Sequence, residues 1–190
     1  MNVQATAEPH TATTAPANIR RLVLTGFMGA GKTTIGRLLA QRLGWDFLDL
    51  DAYIEARTGL SVPSIFSAHG EPRFRQLESA ALASALGRSN VVLALGGGTP
   101  EVLTNRLLLE QTPATSTIFL DAPFPTLFDR CMLQDQARPV LADPVVAEAR
   151  FLARQPIYRR LARLTITTDN LTPEETVSAL LDGLVRSPRR

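Results

Sequence analysis

The chain has 190 residues, of which 45% are hydrophobic and 20% charged; this suits one globular domain and excludes a disordered polymer. Its formal net charge is only +2 and its basic residues are scattered, apart from Arg186, Arg189 and Arg190, so no nucleic-acid footprint is expected. No apolar run approaches the roughly 20 residues of a membrane span, and a single cysteine, Cys131, excludes an intrachain disulfide.

Residues 1–19 are rich in Ala, Thr and Pro without a basic or apolar block, and are read as a disordered leader and not as a signal peptide. One domain is expected over 20–186, followed by a basic tail at 187–190. Residues 22–25 form a short apolar run, then a glycine-rich turn, then Ile35, Leu38, Leu39 and Leu43 at helical spacing: strand, loop, helix. A second strand is predicted through Phe47 and Leu48 to Asp49, and a helix over 51–57. Ser61 and Pro63 signal a helix start for 62–69, and a longer helix is predicted over 71–86.

Residues 91–95 are continuously apolar and lead into Gly96, Gly97 and Gly98, the pattern of a strand buried on both faces of a parallel sheet. A helix is predicted from Pro100 to about Gln111, a strand over 117–120, and a helix over 124–130. The following stretch, about 132–142, lacks periodicity and is read as a mobile lid. Helix 144–161, strand 164–167 and a final helix complete the chain, the last opened by a capping box of Thr172 and Glu175. Strand and helix alternate throughout, which predicts an α/β fold with a parallel sheet of about five strands between two helical layers.

The segment Gly26-Phe27-Met28-Gly29-Ala30-Gly31-Lys32-Thr33 matches G-x-x-x-x-G-K-[ST] and lies between a predicted strand and a predicted helix, as a phosphate-binding loop must. Backbone N–H groups of Gly29, Ala30, Gly31, Lys32, Thr33 and Thr34 would surround phosphate oxygens at the positive end of the helix. Lys32 would reach the β- and γ-phosphates, and the Thr33 hydroxyl would hold Mg²⁺. Of the 20 basic residues only Lys32 is a lysine, so no Asn-Lys-x-Asp guanine motif exists and ATP is favoured over GTP.

On the acceptor side, Asp49 and Asp51 close the second strand, where one carboxylate could orient Mg²⁺ and the other accept a proton from a hydroxyl. Helix capping by Asp51 is the structural alternative. Gly96, Gly97 and Gly98 let a ligand approach the backbone, although a plain flexible connection fits as well. Arginines bind carboxylates in bidentate fashion, but spacing does not single out which arginines do so here.

These motifs resemble those of the shikimate kinase family in order and spacing from about Arg21 to Leu184. The phosphate loop, Phe47-Leu48-Asp49-Leu50-Asp51, the segment Gly70-Glu71 with Phe74-Arg75 and Glu78, Leu95-Gly96-Gly97-Gly98, Arg138-Pro139, and Arg154-Gln155-Pro156-Ile157-Tyr158 all find counterparts. The resemblance implies a P-loop NTPase fold and ATP-dependent phosphorylation of the shikimate 3-hydroxyl, within aromatic amino acid biosynthesis. It implies that Asp51 binds the substrate hydroxyls and serves as base, and that Arg75, Arg154 and the Gly97–Gly98 region grip the carboxylate. Phe66 and Phe74 would line the ring, Asp49 would act on Mg²⁺ through water, and Arg138 would arrive with the lid to meet ATP and the transferring phosphoryl group. A cytoplasmic monomer, with ATP and shikimate as partners and neither nucleic acid nor membrane, is expected. The family commonly carries a second arginine about seven residues before the lid arginine; here Cys131 stands there, with Arg130 beside it. Kinases of gluconate or a cyclitol, and a non-catalytic nucleotide-binding module, are the alternatives.

Overall fold

The computed structural model describes residues 15–133 and 143–186. Five strands, β1 (Arg21–Thr25), β2 (Asp46–Asp49), β3 (Val91–Ala94), β4 (Thr115–Asp121) and β5 (Leu164–Thr167), form one sheet in the order β2-β3-β1-β4-β5. Every pairing is parallel. The helices are α1 (Lys32–Leu43), α2 (Leu50–Thr58), α3 (Val62–Leu86), α4 (Leu103–Gln111), α5 (Phe124–Met132), α6 (Pro144–Leu161) and α7 (Pro173–Arg186).

The period-2 alternation of β1 divides the core. Leu22 and Leu24 face a cluster with Ile35 and Leu39 of α1 and Val177, Leu180 and Leu181 of α7. Val23 faces the opposite cluster, with Ile65 and Leu82 of α3 and Leu109 of α4. Helices on both faces follow from strands that are apolar on both faces. Ile19, placed by the sequence within the leader, is buried in the first cluster, and Ala15 is buried too. None of the described helices is long and apolar enough to cross a membrane.

Local signals act where the sequence puts them. Ser61 caps α3 by accepting from the Ser64 N–H. Thr172 and Glu175 form a reciprocal capping box, the Thr172 N–H donating to Glu175 Oε2 at 2.8 Å and the Glu175 N–H to Thr172 Oγ1 at 3.2 Å. Gly70, at φ 75° and ψ 170°, breaks α3 between its two halves, the break expected between 69 and 71. The helix expected from Pro100 is corrected: Thr99–Glu101 is a short 3₁₀ turn, Val102 is extended, and α4 begins at Leu103. The turn is tight because the Glu101 N–H bonds back to the Gly98 carbonyl and the Thr99 hydroxyl is tied to Glu78.

The parallel register aligns Leu24, Asp49 and Ala94 across β1, β2 and β3. The loops leaving these three strands therefore emerge side by side at the carboxyl edge of the sheet, where open α/β folds bind ligands.

Candidate active site

The loop after β1 turns through Gly26, Gly29 and Gly31 at φ 147°, 78° and 83°. Gly29 is required twice over: its φ is left-handed, and a Cβ there would run into the Leu127 carbonyl and come within 2.9 Å of Cys131 Sγ. Helix α1 starts at Lys32 with Gly31 as its N-cap and no capping side chain, which leaves first-turn N–H groups for an anion. Lys32 Nζ folds back over the loop, donating to the Gly26 and Phe27 carbonyls at 2.9 Å each.

At the second residue of α1, Thr33 Oγ1 donates to Asp49 Oδ2 at 2.7 Å. The other Asp49 oxygen caps α2, accepting from the Asp51 and Ala52 N–H groups. This corrects the capping alternative: the cap is Asp49, and Asp51 lies in the first helical turn, not on the strand. Because Asp49 takes the cap, Asp51 Oδ1 is buried with no hydrogen-bond partner. Burial, then the neighbouring carboxylates of Asp49 and Glu78, push the Asp51 carboxyl up to about 6. That is a pKa suited to a base working near neutrality.

The turn after β3 gathers the remaining groups. A Cβ at Gly96 would lie 3.0 Å from Asp51 Oδ1 and 3.1 Å from Glu78 Oε1; one at Gly97 would lie 3.6 Å from both Arg154 Nη1 and Tyr158 Oη; one at Gly98 would overlap the Arg75 guanidinium. Asp51, both arginines and the tyrosine thus line a single three-residue turn. Arg75 is held by Glu78 at 2.8 Å and Glu71 at 3.0 Å, and its guanidinium carbon lies 5.4 Å from the Phe74 ring centre. Arg154 lies 6.0 Å from the Phe27 ring centre and pairs with Glu101 at 2.7 Å. Phe66 packs on Phe74 with ring centres 4.6 Å apart, beside this cluster.

The sequence matches the shikimate kinase family over residues 28–185. The chain belongs to the shikimate kinase family. It is 41% identical over 175 residues to the shikimate kinase of Pseudomonas entomophila, covering 90% of this chain and 100% of that one. It is 40% identical over 164 residues to that of Psychrobacter cryohalolentis, covering 85% and 87%. Among solved structures, shikimate kinase from Acinetobacter baumannii in complex with shikimate superposes with TM-score 0.83 at 34% identity, covering 90% of this chain and 96% of that one. A gluconokinase from Sinorhizobium meliloti shares the fold at 19% identity and TM-score 0.61. As a member of the shikimate kinase family, the chain is a kinase that transfers a phosphoryl group to an alcohol.

Of the family's expected residues, Lys32, Thr33, Asp49, Asp51, Arg75, Gly97, Gly98 and Arg154 converge on this edge of the sheet. Arg138 and most of the expected lid lie outside the described residues. At the position of the family's second arginine, Cys131 is buried against the phosphate loop, while Arg130 turns to Thr168 after β5, donating to its carbonyl at 2.7 Å and to its hydroxyl at 3.2 Å. Sequence reasoning gave no role to Glu78, Tyr158 or Glu101. Glu78 was legible, since it sits at i+3 from Arg75 on one helix face. Tyr158, whose hydroxyl donates to the Gly97 carbonyl, and Glu101 act across the sheet edge and leave no local signal.

Proposed function

We propose that this shikimate kinase transfers the γ-phosphoryl group of ATP to the 3-hydroxyl of shikimate, with Asp51 as the base and Arg75 and Arg154 as the carboxylate clamp. The observation that supports it most is the single turn Gly96–Gly98, which brings the Asp51 carboxylate and both guanidinium groups to one small site beside the phosphate loop. A substrate whose carboxylate lies between Arg75 and Arg154 would present a ring hydroxyl toward Asp51.

Above about pH 6 the Asp51 carboxylate is charged and can accept the hydroxyl proton. The alkoxide oxygen then bonds to the γ-phosphorus as the bond to the bridging oxygen breaks, leaving ADP. Lys32 would exchange its two loop carbonyls for β- and γ-phosphate oxygens. Arg138 would add a guanidinium to the charge that develops on the transferring group. Phe66 and Phe74 would cover the apolar face of the ring, and exclusion of water would protect ATP from hydrolysis.

The Thr33 hydroxyl and Asp49 carboxylate fit Mg²⁺, because both are hard oxygen donors and they lie 2.7 Å apart. Among the described residues no group of three or more His, Cys, Asp or Glu side chains could hold a metal by itself; the remaining ligands would be phosphate oxygens and water. Bound there, Mg²⁺ supplies neutralisation of the phosphate charge.

A coupled assay of ADP release with Mg²⁺ and ATP tests the reading, comparing shikimate, quinate, gluconate and no acceptor. Release that depends on shikimate is expected. A preference for gluconate would move the acceptor assignment to another metabolite, and silence with every acceptor despite ATP binding would point to a non-catalytic module.

A further inference from the structure

The carboxylate clamp already holds carboxylates. Arg75 contacts Glu71 at 3.0 Å and Glu78 at 2.8 Å, and Arg154 contacts Glu101 at 2.7 Å. Two guanidinium charges therefore face three carboxylates, and an incoming substrate carboxylate would be the fourth. At least one resident must give way for a bidentate grip to form.

The residents differ in their freedom to move. The Glu78 side chain is 1% exposed and also accepts from the buried Thr99 hydroxyl, so it is fixed. Glu71 is 62% exposed but touches Arg75 only. Glu101 is 41% exposed, pairs with Arg154, and reaches to 4.0 Å from Arg75 as well. It is thus the one described carboxylate that spans both arginines. Its backbone is placed by the 3₁₀ turn Thr99–Glu101, directly after Gly98, so its carboxylate comes from the rim of the proposed acceptor site. Arg154 meanwhile keeps its Nε buried and unpartnered, a donor that Glu101 does not satisfy.

We infer that Glu101 is a tethered competitor for the substrate carboxylate, and that its departure from Arg154 sets the affinity of the enzyme for its acceptor. The inference rests on the proposed role of Arg75 and Arg154. In the free enzyme, Glu101 keeps Arg154 aligned and neutralised. On binding, the acceptor carboxylate takes its place, and the Glu101 side chain turns to water from a position that is already partly exposed. The energy of a half-exposed ion pair is modest, so the exchange weakens binding without blocking it.

Glu101→Gln keeps the size and removes the charge. With saturating ATP, KM for shikimate should fall about two- to fivefold, the worth of a partly exposed ion pair, while kcat and KM for ATP stay unchanged. Titration calorimetry with shikimate and no nucleotide should show the same gain in affinity. A higher KM or weaker binding in Glu101→Gln would show that Glu101 positions Arg154 for the substrate, and an unchanged KM would show that it is a bystander; either overturns the inference. No turnover of shikimate by the unaltered chain would instead sink the functional reading itself, and this inference with it.

Discussion

Asp49 Oδ1 accepts the backbone N–H of Asp51 at 3.1 Å, so one aspartate caps the helix on which the other stands. The consequence falls on the second residue. With the cap supplied by Asp49 and its Oδ2 taken by Thr33, Asp51 is left with an unpartnered buried oxygen next to two further carboxylates. The site keeps one carboxylate poorly solvated and unsatisfied, which costs the folded state free energy.

The cost should be measurable in the metal-free protein. The Asp51 carboxyl is raised from 3.8 to about 6, so the folded state favours its protonated form. That contribution to stability is fully present below about pH 4 and is lost as pH rises through about 6. Asn cannot ionise. With EDTA present, Asp51→Asn should match the parent in denaturant melts near pH 4 and exceed it at pH 7.5, by up to about 3 kcal/mol for a shift of this size. A variant no more stable than the parent at pH 7.5 would contradict the burial of an uncompensated charge.

The same substitution separates binding from chemistry. Asp51→Asn should lower kcat by orders of magnitude while a fluorescent ATP analogue binds as before, because the role proposed for Asp51 is toward the acceptor and its carboxylate lies by the Gly96 turn. Lys32→Ala should weaken nucleotide binding itself, since Lys32 Nζ lies over the loop that receives the phosphates. Loss of nucleotide binding in Asp51→Asn would overturn the division of roles.

The chain's 2 tyrosines should titrate far apart. Hydrogen bonds from Ser84 and Arg57 lower Tyr53 to about 8, whereas burial drives Tyr158 well above the usual phenol range. Followed by tyrosinate absorbance, half of the change should be complete near pH 9, and the rest should appear only at strongly alkaline pH or on unfolding. Tyr53→Phe should delete the early step alone; a single transition from both residues near pH 10 would refute the placement of Tyr158 against Gly97.

The fold was legible because its signals are local. The apolar run of β1, buried from Leu22 to Thr25, the loop glycines, the Ser61 cap and the Thr172–Glu175 box all act within a few residues, and each stands where the sequence placed it. Asp49 and Asp51 were legible as a pair but not in their division of labour, because either could cap α2 and only the backbone path decides. Glu101 was hidden for a different reason: its partner Arg154 is 53 residues away, and the helix expected from Pro100 would have turned it elsewhere. Spacing reveals contacts within an element; those between loops depend on how the sheet edge aligns its strands.

The glycines of the turn after β3 offer a graded test of the clamp. Gly98 has φ −89° and ψ −11°, a conformation open to alanine, so Gly98→Ala carries no backbone strain. Its methyl group would nevertheless meet the Arg75 guanidinium, the flexible end of a long side chain. The protein should fold with little change in Tm, but with Arg75 displaced. Losing one charged hydrogen bond to the substrate would lower kcat/KM for shikimate about ten- to a hundredfold, with KM for ATP unaltered. At Gly97 the nearest atoms to a new Cβ, Arg154 Nη1 and Tyr158 Oη, lie at 3.6 Å, an ordinary contact, so Gly97→Ala should cost much less. Equal losses in both variants would mean that the turn meets the substrate through its own backbone, with Arg75 playing little part; a loss confined to Gly98→Ala would place the acceptor's carboxylate on the arginine.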